Sequence, residues 1–125
     1  MQKFTYLLAL FFIAGCQKNH ETPPDAEKPV IVVSSPTASQ VISAAQPVTI
    51  SAHITDNSKV EEVHLEIINT VTNVTFTHEH FAPGSASYDL LRTITLPSAG
   101  NYKIRIEAED TLRNDSEVEI TITAN

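Results

Sequence analysis

From residue 29 onward, apolar and polar side chains alternate with a period of two, and this period predicts strands rather than helices. Val48–Thr55 is the cleanest run. It places Val48, Ile50, Ala52 and Ile54 on one face and Thr49, Ser51, His53 and Thr55 on the other. The same test predicts strands over Pro29–Val33, Val60–Ile68, Val74–Phe81, Tyr88–Leu96, Tyr102–Glu109 and Glu117–Thr123, seven in all. Val63, Leu65 and Ile67 face inward, as do Tyr102, Ile104, Ile106 and Ala108, and Val118, Ile120 and Ile122. Asp56-Asn57-Ser58, Pro83-Gly84-Ser85 and Asp110–Asp115 carry the residues that close turns. Roughly 97 residues in short β-branched strands suit an all-β sandwich of two packed sheets.

The first residues break this pattern. Phe4–Ala14 is an almost unbroken apolar run behind Lys3. It is too short to span a bilayer, which takes about 20 residues, but it suits the core of a secretory signal. Ile13-Ala14-Gly15-Cys16 follows and resembles the lipobox of bacterial lipoproteins. That resemblance implies cleavage after residue 15 and a covalent lipid (diacylglycerol, with palmitate-type acyl chains) on Cys16. Two buried acyl chains anchor stably, where one holds only marginally. Gln17–Lys28 is polar, contains Pro23-Pro24 and reads as a flexible tether. The expected organisation is a signal at 1–15, the lipidated cysteine and tether at 16–28, and one sandwich at 29–125. The implied place is the cell envelope, at the outer membrane. Gln17-Lys18-Asn19-His20-Glu21 partly resembles the surface-export signal of Bacteroidota lipoproteins, and the periplasmic and surface sides both stay open.

Leu96-Pro97-Ser98-Ala99-Gly100-Asn101-Tyr102 resembles a tyrosine corner, in which a tyrosine opening the sixth strand bonds back to upstream backbone. Taken with Ile54-Thr55-Asp56-Asn57 and Ala108-Glu109-Asp110…Asn114, the chain resembles bacterial immunoglobulin-like surface modules. It is similar to a family of Bacteroidota lipoproteins carrying a domain of unknown function. The resemblance implies an immunoglobulin-like Greek-key β-sandwich and names no activity.

Composition narrows the chemistry. The chain has 8 basic and 15 acidic residues, and only Lys3 leaves with the signal. Such an acidic balance argues against nucleic acid and against polybasic docking on headgroups, so membrane attachment falls to the lipid. Cys16 is the only cysteine, which leaves no disulfide and no cysteine metal site. The sequence holds no HExxH, G-x-S-x-G or Gly-rich phosphate motif, and no enzyme is expected.

Three features carry possible chemistry. His78 and His80 share a strand face, and with His64 they make a set suited to zinc or copper. Their parity speaks against it: His78 and His80 match Val74 and Phe76, expected in the core, while His64 matches the outward Glu62 and Glu66. Only a register that turns Val74 and Phe76 to solvent unites the three, and a one-residue slip decides it. Asp56 and Asn57, with Asp110, Asn114 and Asp115, sit on loops that meet at one end of such a sandwich. They can bind Ca²⁺ or simply close turns. Asp110-Thr111-Leu112 resembles a Bacteroidota O-glycosylation site, with Thr111 the acceptor. On the outer face, Lys103 and Arg105 are flanked by Glu62, Glu66, Glu117 and Glu119 in an expected ion-pair lattice. The leading expectation is a non-catalytic anchored module that binds a protein or glycan partner or acts as a spacer. The alternative is a metal-binding lipoprotein using His64, His78 and His80 or the Asp56 and Asp110–Asp115 loops.

Overall fold

The computed structural model describes residues 24–125. The signal segment, Cys16 and the tether as far as residue 23 lie outside the described residues. Seven strands follow in order: β1 (Val30–Ser35), β2 (Val41–Ile42), β3 (Pro47–Asn69), β4 (Val74–Phe81), β5 (Ser85–Thr95), β6 (Gly100–Asp110) and β7 (Asp115–Ala124). They join in one seven-stranded sheet, order β1-β3-β6-β7-β2, with β4 and β5 also paired to β3. Among the described residues no helix is long and apolar enough to cross a membrane.

β3 closes the sheet into a sandwich. Its first half pairs antiparallel with β1 and β5, and its second half with β4 and β6. Pro47 pairs with Thr95 at the end of β5, and Asn69 pairs with Tyr102 near the start of β6. The link from Thr95 to Gly100 reaches only about 17 Å, whereas a straight strand of 23 residues would span roughly 75 Å. β3 must therefore fold back on itself. It does so at the register shift between Thr55 and Val60, where Asp56 Oδ1 accepts the Ser58 N–H at 2.8 Å. The expected Asp56-Asn57-Ser58 turn is thus a bend inside one continuous strand. Alternation predicts no strand between Val33 and Val48, yet Val41 and Ile42 pair in parallel with Thr123 and Ala124. Two residues are too few to display a period.

Most of the core is the set that alternation selects, although Val74 and Phe76, expected in it, are exposed. Ile50, Ala52 and Ile54 meet Val63, Leu65, Ile67, Ile104, Ile106, Ile120 and Ile122, all buried. Tyr102 is fully buried, and its hydroxyl donates to the Ser98 carbonyl at 3.0 Å with Ser98 Oγ at 3.2 Å. This is the tyrosine corner, placed at the lower end of the sandwich beside the β3–β4 turn, where Thr70 N–H donates to the Asn101 carbonyl. β1 starts at the opposite, upper end, with Val30 opposite Thr55. The upper end therefore holds the chain's entry, the β3 bend and the β6–β7 turn, while β7 runs down to its close at Ala124.

Candidate functional site

Two clusters of chemistry-bearing side chains emerge, one at the upper end and one on the sheet face of β3 and β4.

At the upper end, carboxylate oxygens of Asp25, Asp56 and Asp110 all lie within 4.8 Å of one another. Asp110 shares the inward parity of Tyr102, Ile104, Ile106 and Ala108 and is only 1% exposed. Its Oδ1 accepts the Leu112 N–H (2.7 Å) and the Asn114 N–H (2.8 Å), and Oδ2 accepts Asn114 Nδ2 (2.6 Å). Burial pushes the Asp110 carboxyl up. The hydrogen bonds from the Asn114 side chain and from the Asn114, Leu112 and Arg113 backbone outweigh that push and hold it below its ordinary range. Arg113 takes a left-handed φ of 67° to close this turn. Asp25, expected in the tether, is fastened here: its Oδ1 accepts Asn57 Nδ2 at 3.0 Å and its carbonyl accepts Asn114 Nδ2 at 3.2 Å. Asp115 stands outside the cluster, because it opens β7 opposite Glu109 as an exposed ladder residue. Four of the six carboxylate oxygens of the three aspartates, both of Asp110 and one each of Asp25 and Asp56, accept hydrogen bonds from turn backbone or an asparagine. Among the buried oxygens Asp56 Oδ2 stands apart, with no hydrogen-bond partner among the described residues. Thr111 is exposed at the tip of the β6–β7 turn.

On the sheet face the three histidines converge, contrary to the parity expectation. The β3–β4 turn is closed by Asn69, whose Oδ1 accepts the Val71 and Thr72 N–H groups at 3.0 Å, and by Asn73 at φ 56°. A register shift follows: Ile67 pairs with Thr77 and Ile68 with Thr75, so Phe76 is the extra residue of a bulge. One inserted residue inverts the parity of everything after it. Thr77, Glu79 and Phe81 turn inward, His78 and His80 turn outward, and Val74 and Phe76 are 59% and 42% exposed. His80 then lies directly opposite His64, and His78 opposite Glu66. The His64 and His80 rings stack with centroids 4.7 Å apart, and His64 Nδ1 is 3.4 Å from His78 Nε2. Glu62 Oε2 lies 3.4 Å from His64 Nε2 and 3.6 Å from His80 Nε2. Glu62 belongs to this group, although its charge alone assigns it to the lattice. Its place two residues before His64 on one strand face is the signal that finds it.

The lattice itself is present in part. Lys103 Nζ pairs with Glu119 at 2.7 Å, and Arg105 pairs with Glu66 and, at 3.9 Å, with Glu117. On the opposite layer, His53 Nδ1 is 2.6 Å from Asp89 Oδ1, the orienting half of a catalytic triad. The pair is 53% and 84% exposed, and among the described residues no serine hydroxyl bonds to His53; Ser34 Oγ instead donates to Ser51 Oγ.

Among solved structures, the chain is similar to superoxide reductase (neelaredoxin) from Ignicoccus hospitalis. The TM-score is 0.58 at 16% identity, over 76% of this chain and 79% of that one. It is also similar to the fibronectin(III)-like modules of Clostridium thermocellum CbhA, with a TM-score of 0.52 at 19% identity over 76% and 94%. At such identities these likenesses speak for the fold alone. No curated protein matches the sequence. The model of the bacterial Ig domain family matches residues 29–122, nearly the whole sandwich. The tyrosine corner, the folded-back β3 and this match agree: the chain belongs to the bacterial Ig domain family.

Proposed function

We propose that this protein is a non-catalytic, lipid-anchored module of the bacterial cell envelope, whose immunoglobulin-like sandwich serves as a binding or spacer element at the outer membrane. The observation that carries the reading is Ile13-Ala14-Gly15-Cys16, which stands behind an apolar leader and ahead of a polar stretch leading to the sandwich. Lipid on Cys16 would hold the domain at the membrane by its upper end, where the chain joins β1. The non-catalytic reading is supported by the exposed His53–Asp89 pair, to which no serine hydroxyl bonds among the described residues.

The test is metabolic labelling with a fatty acid in the native host. The wild-type chain should incorporate label and partition with membranes. Cys16→Ser should take up none and persist as an unprocessed precursor. Label in the substituted protein would refute the anchor.

A further inference from the structure

We propose that Glu62, His64 and His80 form a binding site for a late first-row divalent metal ion such as Zn²⁺, with His78 as a positioning residue. The inference is independent of lipid anchoring.

Spacing is the first argument. A tetrahedral zinc with ligands at ~2.0–2.1 Å keeps those ligands roughly 3.3 Å from one another. Glu62 Oε2 lies 3.4 Å from His64 Nε2 and 3.6 Å from His80 Nε2. The first is at most a weak hydrogen bond and the second is longer than one, since N–H···O bonds cluster near ~2.9–3.0 Å, and both match edges of a coordination tetrahedron. All three ligand atoms lie within 4.8 Å of one another. Two imidazoles and one carboxylate are a ligand set that zinc and its neighbours accept.

The surrounding charge is the second argument. Glu62 faces Glu109 across the β3–β6 ladder, and His64 faces Glu107, itself opposite Glu117. Like charges opposed on a sheet destabilise it, and a bound cation would relieve this. The two cations of the face are committed elsewhere, Arg105 to Glu66 and Glu117 and Lys103 to Glu119. Glu66 is thereby occupied, and Glu62 is the carboxylate that lies against both His64 and His80.

Orientation is the third. If His64 binds through Nε2, its Nδ1–H points at His78 Nε2, 3.4 Å away. A hydrogen bond at the far nitrogen of a ligating histidine fixes its tautomer and ring plane. The side chains of His64, Glu62 and His80 are 31%, 45% and 49% exposed, so a fourth ligand can come from solvent or from a partner.

The experiment is calorimetric titration of the protein, purified as its native host produces it and with detergent where it partitions with membranes, with zinc sulfate, with Co²⁺ absorption as a second readout and Ca²⁺ as a control. The wild type should bind one equivalent of zinc, and Co²⁺ should give tetrahedral d–d bands. His64→Ala and His80→Ala should abolish stoichiometric binding, while Glu62→Gln should weaken it. His78→Ala should lower affinity roughly tenfold, the usual cost of losing a second-layer partner, and should be partly rescued by His78→Gln. His53→Ala and His20→Ala should leave it unchanged. Circular dichroism on each variant distinguishes lost ligands from lost fold, and because these side chains lie on the outer face, His80→Asn provides a near-isosteric check. Failure of the wild type to bind one equivalent overturns the proposal, as does binding that survives both histidine substitutions.

Discussion

The upper end and the β3–β4 face both gather potential ligands, yet they treat their polar atoms in opposite ways. Asp110 is buried and its oxygens are already held by Leu112 and Asn114. The histidines and Glu62 are half-exposed, and the contacts joining them run from 3.4 Å upward. A carboxylate saturated by its own turn, as Asp110 is, is structural, whereas ligand atoms joined only by contacts of 3.4 to 3.6 Å are spaced as the ligands of one ion are. Residue type alone cannot separate these cases; the number of neighbours already bound to each atom does.

Substitution at each end sharpens the contrast. Asp110→Ala should give the largest loss of stability, because it leaves the Leu112 and Asn114 donors unpaired at a turn that also holds Asp25. Chemical denaturation should show a clear fall in midpoint with little change in slope. An unchanged midpoint would move Asp110 out of the structural class. Tyr102→Phe, at the lower end, removes another satisfied polar group and should cost about 1–3 kcal/mol, read from the same melts. Coincident curves would deny the corner its stabilising role.

Acid should act on the upper end in a defined direction. The folded Asp110 carboxyl sits below its ordinary range, so between its folded and unfolded pKa values it binds fewer protons than in the unfolded chain. Its stabilisation is therefore fully present above about pH 4, where an unfolded aspartate has ionised, and is lost as pH falls through the lower folded value. Asp110→Asn should flatten this part of the stability–pH curve. Equal slopes in both proteins would place the acid sensitivity elsewhere. The smallest effect belongs to the other region: without metal, His64→Ala and His80→Ala should change stability by no more than about 0.5 kcal/mol, as outer-face substitutions do. A larger loss would make the histidine stack structural and draw the two regions together.

The strands, the core and the corner were legible because each is a local signal. Alternation marks Ile50, Ile54, Leu65 and Ile106 as buried whatever they touch, and Ser98 lies only four residues from Tyr102. The two clusters were legible only in part. Asp25 gives no sign that it meets Asn57 and Asn114, the latter 89 residues away. Asp115 looks equivalent to Asp110 but has the opposite parity at the start of β7.

The sequence by itself determined the all-β class, most of the inward set and the tyrosine corner, because these depend on composition and on spacings of a few residues. The tertiary structure decided that β3 folds back as one strand, that Asp25 is fastened to the upper end, and that His64, His78 and His80 share a face. The last turned on Phe76. Side chains in a strand alternate with period two, so a single bulged residue reverses every face beyond it, and no period read along one strand can reveal a bulge set by pairing with another.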